Sequence, residues 1–145
     1  MMKFLIINGP NLNLLDKRQS HIYGSLSLEE IEKIIIKEFS SHMFEFFQSN
    51  HEGELIDKIQ NAGKFFDGLI INPGGFAHTS VAIKDALEIC SIPKIEVHIS
   101  NLASRENFRH LMLTASSCDG YISGFKEKSY LAAVFLLEKL VPSPR

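Results

Sequence analysis

The chain has 145 residues, 45% of them hydrophobic, enough for the core of one domain without disulfides or metal. Its 15 basic and 17 acidic residues leave a formal charge of -2, which offers nucleic acid or an anionic membrane no electrostatic footprint and favours a small or neutral ligand. Cys90 and Cys118 are the only cysteines and lack C-x-x-C spacing, so they read as inert buried thiols in a reducing compartment.

The opening apolar stretch stops at Asn8, too short for a secretion signal or a membrane span, so a soluble cytoplasmic protein is expected. Within it, "KFLII" (3–7) predicts a strand covered on both faces. Ser27 with Glu30 three positions later forms a capping-box pattern. Leu28, Ile31, Ile34, Ile35 and Phe39 then repeat at helical spacing, to about Ser40. "MFEFF" (43–47) predicts a strand, 53–62 a helix, "GLIIN" (68–72) a strand and 78–90 a helix with Val81, Ile83, Ala86, Leu87 and Cys90 toward the core. A strand over 94–98, a short helix near 104–108, a strand over 120–123 and a helix over about 127–140 complete the series, and "VPSPR" reads as a frayed end. Five strands separated by helices imply an α/β fold, a flavodoxin-like doubly wound parallel sheet with helices on both faces, in a single domain spanning 1–145.

Ligands of such sheets bind outside the carboxyl ends of the strands. Those ends read Asn8-Gly9-Pro10-Asn11, Ser49-Asn50-His51-Glu52, Asn72-Pro73-Gly74-Gly75 and Glu96-Val97-His98-Ile99-Ser100-Asn101, all rich in hydrogen-bonding groups. The amino-terminal ends carry ordinary lysines, serines and turns, so one site at the carboxyl edge is expected.

Nucleotide binding is disfavoured because neither G-x-G-x-x-G nor G-x-x-x-x-G-K-[ST] occurs, and a phosphoacceptor switch because Asn8 and Asn72 stand where acidic groups are needed. A metal centre is disfavoured because no histidines are spaced as ligands on one helix and the neighbours of His78 and His98 are mostly amides. A Schiff base needs a desolvated lysine, whereas Lys84, Lys94, Lys126 and Lys128 sit at element ends and read as solvated.

Acid–base chemistry remains. A guanidinium close to a phenol favours the tyrosinate, and Arg18 lies five residues before Tyr23 in one polar loop. Glu96 and His98, two apart on a strand, share a face, so the carboxylate can orient the imidazole. The alternatives stay open at this point: Tyr23 packed on the sheet beside a solvated Arg18, and His98 as hydrogen-bonded structure. A base and an oriented acid suit an elimination or isomerisation next to a carbonyl, with asparagines as uncharged donors to a developing enolate.

Four blocks in order, "NGPNLNLL" with Arg18 and Tyr23-Gly24, "SNHEGELID" (49–57), "NPGGFAHTSVAIKDAL" (72–87) and "EVHISN" followed by "RENFRH" (96–110), resemble type II 3-dehydroquinate dehydratase over essentially the whole chain. The resemblance implies conversion of 3-dehydroquinate to 3-dehydroshikimate in the shikimate pathway, with no cofactor, metal or Schiff base. It also implies a homo-dodecamer of trimers in a tetrahedral shell.

By position, it implies Tyr23 as base, Arg18 as its activator, Asn11 and Asn72 as enolate donors, and His98 backed by Glu96 as acid. His78, Ile99, Ser100 and Arg109 would hold substrate hydroxyls and carboxylate, Arg109 through its planar fork. Asp85 reads from periodicity as a solvated helix face, but the resemblance implies that it reaches across a trimer interface toward the neighbour's site. The 8–24 loop, read as irregular, would act as a lid. Asp16, Ser20 and Ala77 depart from the usual pattern of glycine, proline and threonine; Asp16 is expected to compete for Arg18, and Ala77 to lack a capping hydroxyl.

Overall fold

Lys3–Asn8 (β1) lies inside a five-stranded, wholly parallel sheet, flanked by Met43–Gln48 (β2) and Gly68–Asn72 (β3). Lys94–His98 (β4) and Gly120–Ser123 (β5) complete the order β2-β1-β3-β4-β5 in this computed structural model, which describes residues 1–142. Of the expected frayed end, residues 143–145 lie outside the described residues.

Alternation along the strands sorts two cores. Phe4 and Ile6 of β1, with Ile70, Ile95 and Val97, face the helices Leu28–Glu38 (α2) and Lys128–Leu140 (α5). Leu5, Ile7, Leu69 and Ile71 face Glu52–Phe65 (α3) and Val81–Ile89 (α4). Each fully buried leucine or isoleucine contributes roughly 1.5–3 kcal/mol. This is the flavodoxin-like doubly wound arrangement expected. No helix among the described residues is long and apolar enough to cross a membrane.

The capping box on α2 is present in full: the Glu30 N–H donates to Ser27 Oγ and the Ser27 N–H to the Glu30 carboxylate. The region 8–24 departs from the irregular loop expected. It contains a 3-10 helix, Leu12–Lys17, which buries Leu12 and Leu15 in the core, and a helical turn, Ser20–Tyr23 (α1). Its polar residues interleave with two leucines that anchor the segment, and Ser20 opens the turn ending in Tyr23.

The expected helix over 78–90 also divides. Residues Gly74–His78 form a 3-10 turn, and α4 starts only after Ser80, whose Oγ accepts from the Ile83 N–H at 2.9 Å. Ala77 is therefore not a capping position; it is buried and its carbonyl accepts from the N–H groups of Leu113 and Thr114. Val81 sits in the first turn and is 58% exposed, not core-facing as its spacing suggested. Near 104–108, where one short helix was expected, two 3-10 turns form instead, Leu102–Ser104 and Asn107–Arg109. Cys90 and Cys118 are both free, and burial pushes the Cys118 thiol up, away from the reactive thiolate.

Candidate active site

The carboxyl ends of β1 and β3 are joined tightly: the Gly9 N–H donates to the Asn72 carbonyl at 2.7 Å. A Cβ at Gly9 would fall 2.4 Å from the Pro73 carbonyl oxygen, so only glycine lets the two loops approach this closely. Gly74 then turns with φ of 60°, a left-handed conformation that glycine adopts without strain. These turns bring Asn72, Gly74, Gly75 and His78 to a cleft that His98, Ile99 and Ser100 from the end of β4 also line. Leu12, Arg18 and Tyr23 from the first loop and Leu102, Arg105 and Arg109 from the β4–β5 connection complete its lining. The cavity between these residues is small, about 30 Å³.

Two guanidiniums converge on one phenol. Arg18 Nη2 donates to Tyr23 Oη at 2.5 Å and Arg105 Nη1 donates to the same oxygen at 2.6 Å. The Arg18 guanidinium also lies over the Tyr23 ring, 3.8 Å from its centroid. Of the alternative left open by the sequence, the packing holds, since Tyr23 is buried in the core beside Leu12 and Leu15, but Arg18 is bound to its hydroxyl and not simply solvated. Arg105 escaped the sequence reading. The only signal for it was its place in "RENFRH", since the fold rather than any spacing brings it to Tyr23. The same guanidinium donates to Ser100 Oγ at 3.1 Å, tying the end of β4 to the phenol.

Burial is the main cause that lowers the Arg18 guanidinium from its ordinary range; Tyr23 opposes it, and the positive charges of Arg105 and Arg109 add to it. Three guanidiniums in one cleft suit an anionic ligand. Arg109 Nε donates to Glu106 at 3.2 Å, a carboxylate outside the cleft that orients the fork. Asp16 is exposed, and the Arg18 guanidinium goes to Tyr23, so the expected competition does not arise in this conformation.

His98 Nε2 donates to Glu96 Oε2 at 2.6 Å, as their shared face predicted. That leaves Nδ1 of His98 as the free ring nitrogen. Glu96 is fully buried, and its other oxygen accepts from Thr114 Oγ1 at 2.5 Å. Thr114 lies in the loop after β4 and was not foreseen. Beside His98 stacks His78, with ring centroids 6.1 Å apart, and His78 Nδ1 donates to the Leu111 carbonyl at 2.8 Å. Burial is the largest cause that lowers His78; the Leu111 carbonyl opposes it, while His98 and Arg109 push the same way as burial. His78 therefore favours its neutral form.

Two of the expected residues lie apart. Asn11 is exposed, in left-handed backbone with φ of 69°, and its N–H donates to Asn50 Oδ1 at 3.0 Å; it is not among the residues lining the cleft. Asp85 is exposed on α4 and also lies outside the cleft. Lys84 pairs with Glu88 at 2.9 Å on the same helix face, and no lysine lines the cleft. Among the described residues no three His, Cys, Asp or Glu side chains cluster as metal ligands.

An arginine-held phenol and a carboxylate-held imidazole in one cationic cleft, at the carboxyl edge of a doubly wound sheet, have the geometry that acid–base chemistry requires. Comparison with known proteins narrows the class. The profile of the class II dehydroquinases matches residues 2–138. A 3-dehydroquinate dehydratase of Caldicellulosiruptor bescii is 52% identical over 146 residues, covering 97% of this chain and 99% of the relative. That of Thermotoga maritima is 50% identical over 140 residues, covering 95% and 96%. The crystal structure of type II dehydroquinase from Butyrivibrio crossotus superposes with a TM-score of 0.92 at 48% identity, covering 94% of this chain and 97% of that one. The chain belongs to the class II dehydroquinase family.

Proposed function

We propose that this protein is a hydro-lyase that dehydrates 3-dehydroquinate to 3-dehydroshikimate, in the shikimate pathway and in the cytoplasm, through an enolate. The observation that carries the mechanism is the pair of guanidinium donors on Tyr23 Oη, at 2.5 and 2.6 Å. An oxygen accepting two charged donors is stabilised as the anion, and a tyrosinate is a base. Tyr23 removes the proton alpha to the ketone, and the electron pair moves onto the carbonyl oxygen as an enolate. An N–H of Asn72 donates to that oxygen, and Asn11 joins it when the first loop closes on the substrate.

The enolate then collapses: the carbonyl reforms, the new double bond conjugates with it, and the carbon–oxygen bond to the leaving hydroxyl breaks. His98, oriented by Glu96, delivers a proton to that oxygen so that water departs. Arg109 binds the substrate carboxylate through its fork, and His78, Ser100 and the Ile99 backbone hold the hydroxyls. A neutral His78 suits a hydroxyl partner in a cleft already carrying three guanidiniums.

The chain acts as one domain over 1–145, assembled as trimers into a homo-dodecamer in which Asp85 reaches a neighbour's site. Adding 3-dehydroquinate to the purified protein and following the ultraviolet absorbance of a conjugated enone tests the reading. The absorbance should rise, and a protein that leaves it flat does not carry out this dehydration.

A further inference from the structure

We propose that Tyr130, a wholly buried residue of α5, is a positioning residue that holds the Asn72 amide with an N–H, and not its oxygen, toward the cleft. The inference rests on the proposed dehydratase reading. Asn8 and Asn72 are register partners at the carboxyl ends of the adjacent strands β1 and β3, both buried and both on the face that α5 covers. Two uncharged amides buried side by side need partners. The Tyr130 hydroxyl supplies one to each: it lies 2.5 Å from Asn8 Oδ1 and 3.1 Å from Asn72 Nδ2.

The Gly74 backbone fixes the orientation of the Asn72 amide, and the Tyr130 hydroxyl relays it to Asn8. The Gly74 N–H can only donate, so the Asn72 atom 3.1 Å from it is the carbonyl oxygen, which fixes the amide's orientation. The Asn72 nitrogen therefore points to Tyr130 and donates to it. Having accepted that bond, the phenol gives its own proton to Asn8 Oδ1. Burial pushes the Tyr130 phenol well above its ordinary range, so it keeps the proton it donates. One N–H of Asn72 is thus committed to Tyr130, and the other is left for the cleft that Asn72 lines. A flipped amide would turn its oxygen from the Gly74 N–H and leave Tyr130 facing a carbonyl with no proton to give, since that proton is held by Asn8. Both errors strand buried polar groups, so the network resists the flip. A carbonyl oxygen facing an enolate would repel the developing charge, whereas the N–H stabilises it.

Tyr130→Phe deletes one hydroxyl and leaves the ring, so it tests the hydrogen bonds with the least change in packing. It should lower kcat about tenfold with KM within about twofold, because the enolate forms only after the substrate is bound. Placed on Asn72→Ala, the same change should cost less than about twofold, since the group it positions is already gone. Asn8→Leu, which removes the acceptor at the other end, should show the same pattern and serves where Tyr130→Phe does not fold. Equal losses of kcat in the wild-type and Asn72→Ala backgrounds would overturn the proposal, as would variants that melt at lower temperature while keeping wild-type kcat. Wild-type turnover is measured first: a wild-type protein without dehydratase activity contradicts the reading beneath the proposal, and an additive double variant of an active enzyme contradicts the proposal alone.

Discussion

Arg105 Nη1 lies 2.6 Å from Tyr23 Oη, although 82 residues of chain separate them. The phenol thus has two guanidinium donors, and the loss of one leaves the other in hydrogen-bond contact. Arg18→Ala should accordingly lose less activity than Arg18→Ala/Arg105→Ala, whose kcat should fall on the order of 10²-fold near neutral pH. The loss in the double variant should shrink toward pH of about 10, where a phenol ionises unaided. Rate measurements from pH 6 to 10, taken in steps of about half a unit, check this. Profiles of double variant and wild type that run parallel throughout would contradict the assignment of the arginines.

The same pair of residues separates contacts that are local in sequence from those that only the fold creates. Arg18 with Tyr23, and Glu96 with His98, were legible because each pair is local, and strand alternation dictates which side chains share a face. The strands and the sheet type were legible from apolar runs closed by polar turns. Arg105, Thr114 and Tyr130 were not. Their partners come from other elements, 82, 18 and 58 residues away for Tyr23, Glu96 and Asn72, and no periodicity encodes such meetings. Tyr130 in particular sits among Ala133, Val134 and Leu137 and reads as core. Val81 misled in the opposite sense, because a helix that begins after Ser80 shifts its first turn out of the packed face.

His78 links pH to stability. Its folded form is held below the ordinary histidine range by burial, so between that lowered value and about 6.5 the unfolded chain binds a proton that the folded protein does not. Stability therefore rises with pH through this window and is lost as pH falls below about 6.5. Thermal melting at several pH values should show His78→Gln losing less Tm than wild type on acidification. Equal losses would mean that His78 does not titrate in this way.

Activity should survive a chelator, and it should also survive borohydride added with substrate. The lining of the cleft includes Arg18, Arg105 and Arg109 but no lysine to form an imine. Loss of activity on borohydride treatment, with substrate mass retained on the protein, would show an imine and exclude the tyrosinate mechanism.

Asp85 lies outside the cleft of its own subunit, and the proposed assembly gives it a role in a neighbour's. Asp85→Ala should stay folded with substantially weakened activity, and light scattering should report a large closed particle for the wild type. Co-refolding Asp85→Ala with inactive His98→Ala places intact His98 and intact Asp85 at one mixed site. Mixed particles should exceed the summed activity of the two variants. Particles shown to be mixed yet without that excess would confine Asp85 to its own subunit or remove it from the reaction.

The role of Tyr23 as base is tested most directly by one pair of measurements on Tyr23→Phe, the rate of enone formation and the affinity for 3-dehydroquinate. In the proposed mechanism the phenol oxygen moves a proton and does not hold the substrate. The variant's kcat should therefore fall on the order of 10²–10⁴-fold while its affinity, read by calorimetry, stays within roughly tenfold of wild type. A Tyr23→Phe protein that forms the enone at near wild-type rate would contradict the account, because no other group in the cleft is held by two guanidiniums as a base.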